Sequence, residues 1–142
     1  MKADRERNAQ ALAVLGRADR RLDGWSCPRS TECCRPGLSG REPYLTEAEW
    51  GLIETELARQ GRKPPADRGD GACALLSEDG RCTVYTVRPL GCRSYFCDRA
   101  RPAGPYPRAD LRALVRDLEA LSPKAERGRP LRSWLKSAGK HP

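Results

Sequence analysis

Cys73-Ala74-Leu75-Leu76-Ser77-Glu78-Asp79-Gly80-Arg81-Cys82-Thr83-Val84-Tyr85-Thr86-Val87-Arg88-Pro89-Leu90-Gly91-Cys92-Arg93-Ser94-Tyr95-Phe96-Cys97 is the stretch on which the reading of this chain turns. Ala72 to Leu76 reads as a strand, Ser77-Glu78-Asp79-Gly80 as a turn and Arg81 to Tyr85 as a second strand, which together predict a β-hairpin. Each strand carries one cysteine, so Cys73 and Cys82 can converge across the pair. Thr86-Val87-Arg88-Pro89 reads as a turn or the start of a short helix, because proline is tolerated in a helix's first turn.

Three further cysteines lie upstream in Cys27-x5-Cys33-Cys34, and 38 residues separate them from Cys73. Thiolates are soft ligands that suit zinc, Cu(I) and iron in iron–sulfur clusters. Turn-rich segments such as those around Cys27, Cys33 and Cys92 let ligands approach one centre from several directions. A disulfide framework explains an odd count of seven poorly. Burial as small apolar groups could account for one or two cysteines, but it is a weak account of all seven. The spacing therefore predicts a metal or cluster site built from Cys27, Cys33, Cys34, Cys73, Cys82, Cys92 and Cys97. There is no C-x2-C pair, so the ordinary zinc-ribbon pattern is absent.

The composition agrees that something beyond apolar burial holds the chain together. Leu, Ile, Val and Phe make up 22 of 142 residues, the net charge is +8 and the mean hydropathy is −0.75. Those values fall where a chain tends toward disorder and argue against a large enzyme core. All seven cysteines lie in residues 25–97, where basic and acidic side chains balance, whereas residues 98–142 carry a net +6. A basic segment raises a nucleic-acid reading. The basic residues form no dense run, so the plainer reading of a solvated, arginine-rich surface is preferred. The charged start Met1-Lys2-Ala3-Asp4-Arg5 precedes no signal-peptide core, and no segment approaches the ~20 apolar residues of a membrane span. The expected location is the cytoplasm, with reduced thiols and no membrane partner.

Working outward, residues 3–22 read as a helix with Ala11, Leu12, Leu15, Ala18 and Leu22 on one face. Thr46-Glu47-Ala48-Glu49 is a capping box. It opens a helix that runs to about Gln60, with Trp50, Ile53 and Leu57 inward and Gly61 as its stop. Residues 101–108 form a proline-containing linker. Residues 109–121 read as an amphipathic helix with Leu111, Leu114, Val115, Leu118 and Leu121 inward. Beyond Ser122-Pro123, the patch at Leu131, Trp134 and Leu135 reads as part of a loosely held tail. The expected fold is a small α+β domain, with amphipathic helices around a Cys-rich loop and a short β-hairpin, stapled by a metal or iron–sulfur cluster. Three parts are expected: an N-terminal helix at 1–24, a cysteine-cluster metal-binding domain at 25–100, and a linker, helix and basic tail at 101–142, packing on or trailing the domain.

Trp25-Ser26-Cys27-Pro28-Arg29-Ser30-Thr31-Glu32-Cys33-Cys34, the helix start at Leu45, Thr46 and Glu49, and the Cys73–Cys97 stretch together resemble the YkgJ family of cysteine-cluster proteins, UPF0153. The likeness covers about residues 25–97. It implies a zinc- or iron-chelating domain. The family opens on C-x2-C-x2-C-C, and Ser30 stands here at the second cysteine. That departure leaves either a site short of one thiolate or a site completed by Cys92 or Cys97. A related cluster occurs within flagellin lysine methylase, a longer protein. This chain has no Gly-rich nucleotide loop, so that activity is not carried over.

Arg88 and Arg93 flank Cys92 and are expected to donate hydrogen bonds to the site's sulfurs. Tyr85, Tyr95 and Phe96 read as apolar cover for the site. The pairs Glu47/Glu49 and Glu54/Glu56 read as solvated helix surface. His141 is the only histidine and lies next to the end, which leaves no Cys-His or Ser-His-Asp arrangement. The expected function is a metal-chelating module (iron–sulfur cluster or zinc) with a redox, sensing or metal-handling role, for which a protein partner is allowed. The alternatives are a nucleic-acid-binding module with a structural metal and a cluster-dependent enzyme.

Overall fold

A computed structural model describes residues 2–22, 44–66, 73–77, 81–93, 107–122 and 127–139. Helix α1 is Lys2–Arg21 and helix α2 is Glu47–Arg59. A single 3-10 turn at Tyr85–Val87 leads to a four-residue helix α3, Leu90–Arg93. Helix α4 is Arg108–Ala120 and helix α5 is Leu131–Gly139. Strands β1, Tyr44–Leu45, and β2, Arg129–Pro130, pair antiparallel with Tyr44 opposite Pro130 and Leu45 opposite Arg129. The described chain is thus mostly helical with one small sheet, a small α+β arrangement. None of its described helices is long and apolar enough to cross a membrane.

The capping box forms as its sequence dictates. The Thr46 hydroxyl accepts from the Glu49 amide at 3.3 Å, and Glu49 Oε1 accepts from the Thr46 amide at 2.9 Å. At the other end of α2, the Gly61 amide donates to Ala58 and the Arg62 amide to Leu57. This closing pattern requires a left-handed residue after the cap, and Gly61 supplies it with φ +72°.

Two apolar clusters organise the interior. In the first, Ala11, Val14, Leu15 and Ala18 of α1 pack with Ala48 and Leu52 of α2, Leu90 of α3, and Leu111, Leu114 and Leu118 of α4. Arg17–Asp117 at 3.2 Å and Arg21–Asp110 at 3.7 Å join α1 to α4 along the exposed edge. The helical periods place these faces correctly, apart from two residues: Leu12 is 44% and Val115 39% exposed. Both sit at the margin of their stripes, where a 3.6-residue period turns them outward.

The second cluster holds Leu45, Trp50, Ile53, Leu57, Leu75, Val84, Leu131, Trp134 and Leu135, with Cys73 and Cys82 half-buried against it. Within the segment expected to pack on or trail the domain, Leu131–Gly139 forms a helix, α5, whose Leu131, Trp134 and Leu135 belong to this cluster. Trp134 stacks on Trp50 with centroids 6.1 Å apart, and the Arg129 guanidinium lies over the Trp134 ring, 3.7 Å from its centroid. A Cβ at Gly128 would meet the Leu45 backbone at 3.2 Å, so glycine permits the close approach that precedes the β1–β2 pairing.

Among the described residues, the expected hairpin is reduced to one antiparallel bridge, Leu76 with Cys82. Its ends are diverted by local bonds. Cys73–Leu76 closes as a turn, and the chain after Val84 tightens into the 3-10 turn that precedes Pro89.

Candidate metal centre

Cys73 opens a turn in which the Leu76 amide donates to the Cys73 carbonyl at 3.0 Å. The same turn aims the Leu75 amide at Cys73 Sγ, 3.4 Å away. An N–H pointed at sulfur favours the negatively charged thiolate over the thiol. The returning segment bonds to both Leu75 and Ser77, and the Arg81 amide donates to the Ser77 hydroxyl at 3.1 Å. Thr83 donates to the Leu75 carbonyl from its amide at 2.9 Å and from its hydroxyl at 2.7 Å, and the Ser77 amide donates to the Arg81 carbonyl at 2.7 Å. Cys73 and Cys82 thereby share one floor, since both pack on Leu76 and on the Trp50 cluster.

Gln60 at the end of α2 anchors this turn from outside. Its amide nitrogen donates to the Thr83 carbonyl at 2.9 Å and to Glu56 Oε2 at 3.0 Å. Arg59 also bonds Glu56, and these hydrogen bonds, Arg59 first and Gln60 second, hold the Glu56 carboxyl down to about 2.

Cys92 lies on α3, half-buried, with its amide bonded to the Pro89 carbonyl at 3.0 Å. Two side chains fix the backbone on either side of it. Glu49 Oε2 accepts the Leu90 amide at 2.6 Å. Arg93 bonds from all three of its nitrogens: Nε donates to the Arg88 carbonyl at 2.6 Å, Nη2 to the Thr86 carbonyl at 2.8 Å, and Nη1 to Asp19 Oδ2 of α1 at 2.7 Å. Arg88 donates from Nε to the Tyr85 carbonyl at 3.0 Å and lies 3.8 Å over the Tyr85 ring. Among the described residues, the bonds of both arginines run to backbone carbonyls and to Asp19; four of the sulfurs they are expected to serve lie outside those residues. Tyr85, expected to cover the site, is 55% exposed, because it starts the 3-10 turn and serves as a platform for Arg88.

Glu49 is the residue that sequence reasoning misplaced. It was grouped with Glu47 as solvated surface, yet it is 3% exposed. Burial pushes its carboxyl above the ordinary 4.5, opposed by the bonds from Thr46 and Leu90 and by the charge of Arg93. The sequence signal is spacing: position 49 lies three and four residues before Leu52 and Ile53, on the buried face of α2.

Cys27, Cys33, Cys34, Cys97, Ser30, Tyr95, Phe96 and His141 lie outside the described residues, as does the expected meeting of the two cysteine blocks. Among the described residues, no three His, Cys, Asp or Glu side chains lie close enough to hold one metal ion. The three described cysteines fit a thiophilic metal by donor chemistry: they are half-buried, set on turns or a short helix, and one already receives an amide N–H at sulfur.

A family model designated CxxCxxCC and described as "Putative zinc- or iron-chelating domain" matches residues 26–107. No curated protein and no solved structure matches the chain.

Proposed function

The chain belongs to the CxxCxxCC family of zinc- or iron-chelating domains, and from that membership we propose that it holds zinc or an iron–sulfur cluster through cysteine thiolates. Cys73, Cys82 and Cys92 are ligands in this reading, and Cys27, Cys33, Cys34 and Cys97 supply the rest of the set. The observation that carries it is the Leu75 amide aimed at Cys73 Sγ within a closed turn. A buried thiol gains little from such a donor, whereas a metal-bound thiolate is stabilised by it. Thiolate ligation requires reduced cysteines, which suits a cytoplasmic setting.

Because His141 is the only histidine and sequence reading finds no nucleophile paired with a base, the role we assign is that of a redox, sensing or metal-handling module rather than a hydrolytic enzyme. The test is anaerobic purification followed by metal and acid-labile sulfide analysis, with a visible spectrum. The expected result is stoichiometric zinc, or iron with sulfide and a visible band, lost in part when Cys73 is changed to serine. A folded chain that carries neither metal, and takes up neither on anaerobic reconstitution, would overturn the reading.

A further inference from the structure

We infer that Glu49 is the positioning residue for Cys92, acting with Arg93 to fix the backbone from which that thiol would reach a metal. The inference rests on reading Cys92 as a ligand. A capping box needs only one oxygen of its glutamate, and Glu49 Oε1 already serves it, accepting the Thr46 amide at 2.9 Å and the Thr46 hydroxyl at 3.0 Å. Such a side chain can stay in water. Glu49 instead is buried, at the desolvation cost that any carboxylate incurs, and its second oxygen accepts the Leu90 amide 41 positions away at 2.6 Å. That bond joins the first turn of α2 to the first residue of α3, two positions before Cys92.

Arg93 acts on the other side of the cysteine. Its side chain is 8% exposed and binds the Thr86 and Arg88 carbonyls together with Asp19 of α1. Cys92 therefore sits between two residues, Leu90 and Arg93, that are each tied to a different long helix. Metal sites demand ligand placement within about 0.5 Å, and the groups that lock a ligand's backbone decide whether it is met.

The chemistry selects glutamate over its near-isostere. Both oxygens of Glu49 face N–H donors. A glutamine has one acceptor oxygen, so its NH2 would confront either the Thr46 or the Leu90 amide. Glu49→Gln thus keeps the shape and breaks the link.

The test uses the full chain purified anaerobically with its metal. It compares Glu49→Gln, Arg93→Lys, Cys92→Ser and, as a control that destabilises the far end of α2, Gly61→Ala. Three quantities are read: metal per chain, the half-time of metal loss to EDTA, and amide hydrogen exchange at Leu90. Glu49→Gln and Arg93→Lys are expected to keep the helical circular dichroism and to shorten the half-time by about 10–100-fold; Glu49→Gln also speeds exchange at Leu90. Should Glu49→Gln fail to fold, Arg93→Lys carries the same expectation through α1. Wild-type half-times in both variants, with metal lowered in Cys92→Ser, would overturn the positioning role and leave the ligand reading intact. Full metal in Cys92→Ser would overturn the ligand reading itself. If Gly61→Ala shortens the half-time as much as Glu49→Gln does, general instability explains the effect and the positioning role is overturned.

Discussion

Trp134 Nε1 donates a 2.9 Å hydrogen bond to the carbonyl oxygen of Leu45, 89 positions earlier in the chain. The bond does more than close a ring of structure. Leu45 immediately precedes the cap residue Thr46, so the indole fixes the entry to α2, whose buried Glu49 reaches the Cys92 segment. Trp134 also lies in the cluster on which Cys73 and Cys82 pack.

Trp134→Phe should accordingly lower stability by about 1–3 kcal/mol, since it preserves most of the buried ring but leaves the Leu45 carbonyl without its donor. Trp134→Ala should cost about 3–5 kcal/mol, because it also empties the space beside Trp50. Midpoints of urea unfolding, at constant slope, measure both. An unchanged midpoint in Trp134→Phe would mean that the indole N–H contributes nothing.

That contact marks where sequence reasoning reached its limit. Helices α1, α2 and α4 were legible because twenty or thirteen residues give several turns of a 3.6-residue period, and Thr46 and Gly61 punctuate α2 at both ends. Helix α5 offers only nine residues, and its large apolar side chains, Leu131, Trp134 and Leu135, gain meaning only from Trp50 and Leu45. Strands β1 and β2 are two residues each, too short to carry an alternation. The expected hairpin failed for a related reason. Alternation suggested paired strands, but the turn at Cys73 and the 3-10 turn before Pro89 capture those backbone groups first. For the site, residue types and spacing disclosed the thiols. The supporting groups Glu49, Gln60 and Arg93 act through tertiary contacts with Leu90, Thr83 and Asp19 that no local pattern encodes.

Gly61→Ala isolates a backbone effect. A Cβ at Gly61 would meet nothing within 4 Å, so steric crowding by neighbours is absent. The cost comes from holding alanine at φ +72° and should be about 1–2 kcal/mol. Thermal or urea unfolding would show it; a neutral result would mean that α2 ends differently in solution.

Glu56 provides a pH test. Its carboxyl is held down to about 2 by bonds from Arg59 and Gln60, against an ordinary 4.5. A lowered folded value means that the ionised group favours the folded state. Its contribution is therefore complete above about 4.5 and fades as the pH falls toward 2. Carbon-detected NMR titration should place the Glu56 midpoint near the lower value, and Arg59→Gln should move it upward. Because Gln60 also bonds the Thr83 carbonyl, Thr83 resonances should shift over the same range. A Glu56 midpoint at 4.5 in the unaltered chain would show that the bonds do not persist in solution.

Metal removal should divide the molecule along the boundary between its two clusters. The chain's low apolar content suggests that folding as a whole depends on the metal. The first cluster, however, joins α1, α2, α4 and Leu90 of α3 through leucine, alanine and valine, with no cysteine among its described members. The second has Cys73 and Cys82 along its edge, beside Leu75 and Val84. Those cysteines lie in a segment of turns, tied by the Leu76–Cys82 bridge, by the Thr83 bonds to Leu75 and by Gln60 of α2, short-range order set against roughly 1–2 kcal/mol of backbone entropy per residue. Stripping the metal under reducing conditions should therefore preserve most of the far-ultraviolet circular dichroism. Amide protection should be lost across Cys73–Val84, and the near-ultraviolet signal of the stacked Trp50 and Trp134 should weaken. Hydrogen exchange resolved by mass spectrometry distinguishes the outcomes. Uniform loss of protection would make the metal a condition for folding of the entire chain. Unchanged protection over Cys73–Val84 would show that the turns hold without it, and the thiols would then be bystanders to the stability of this segment.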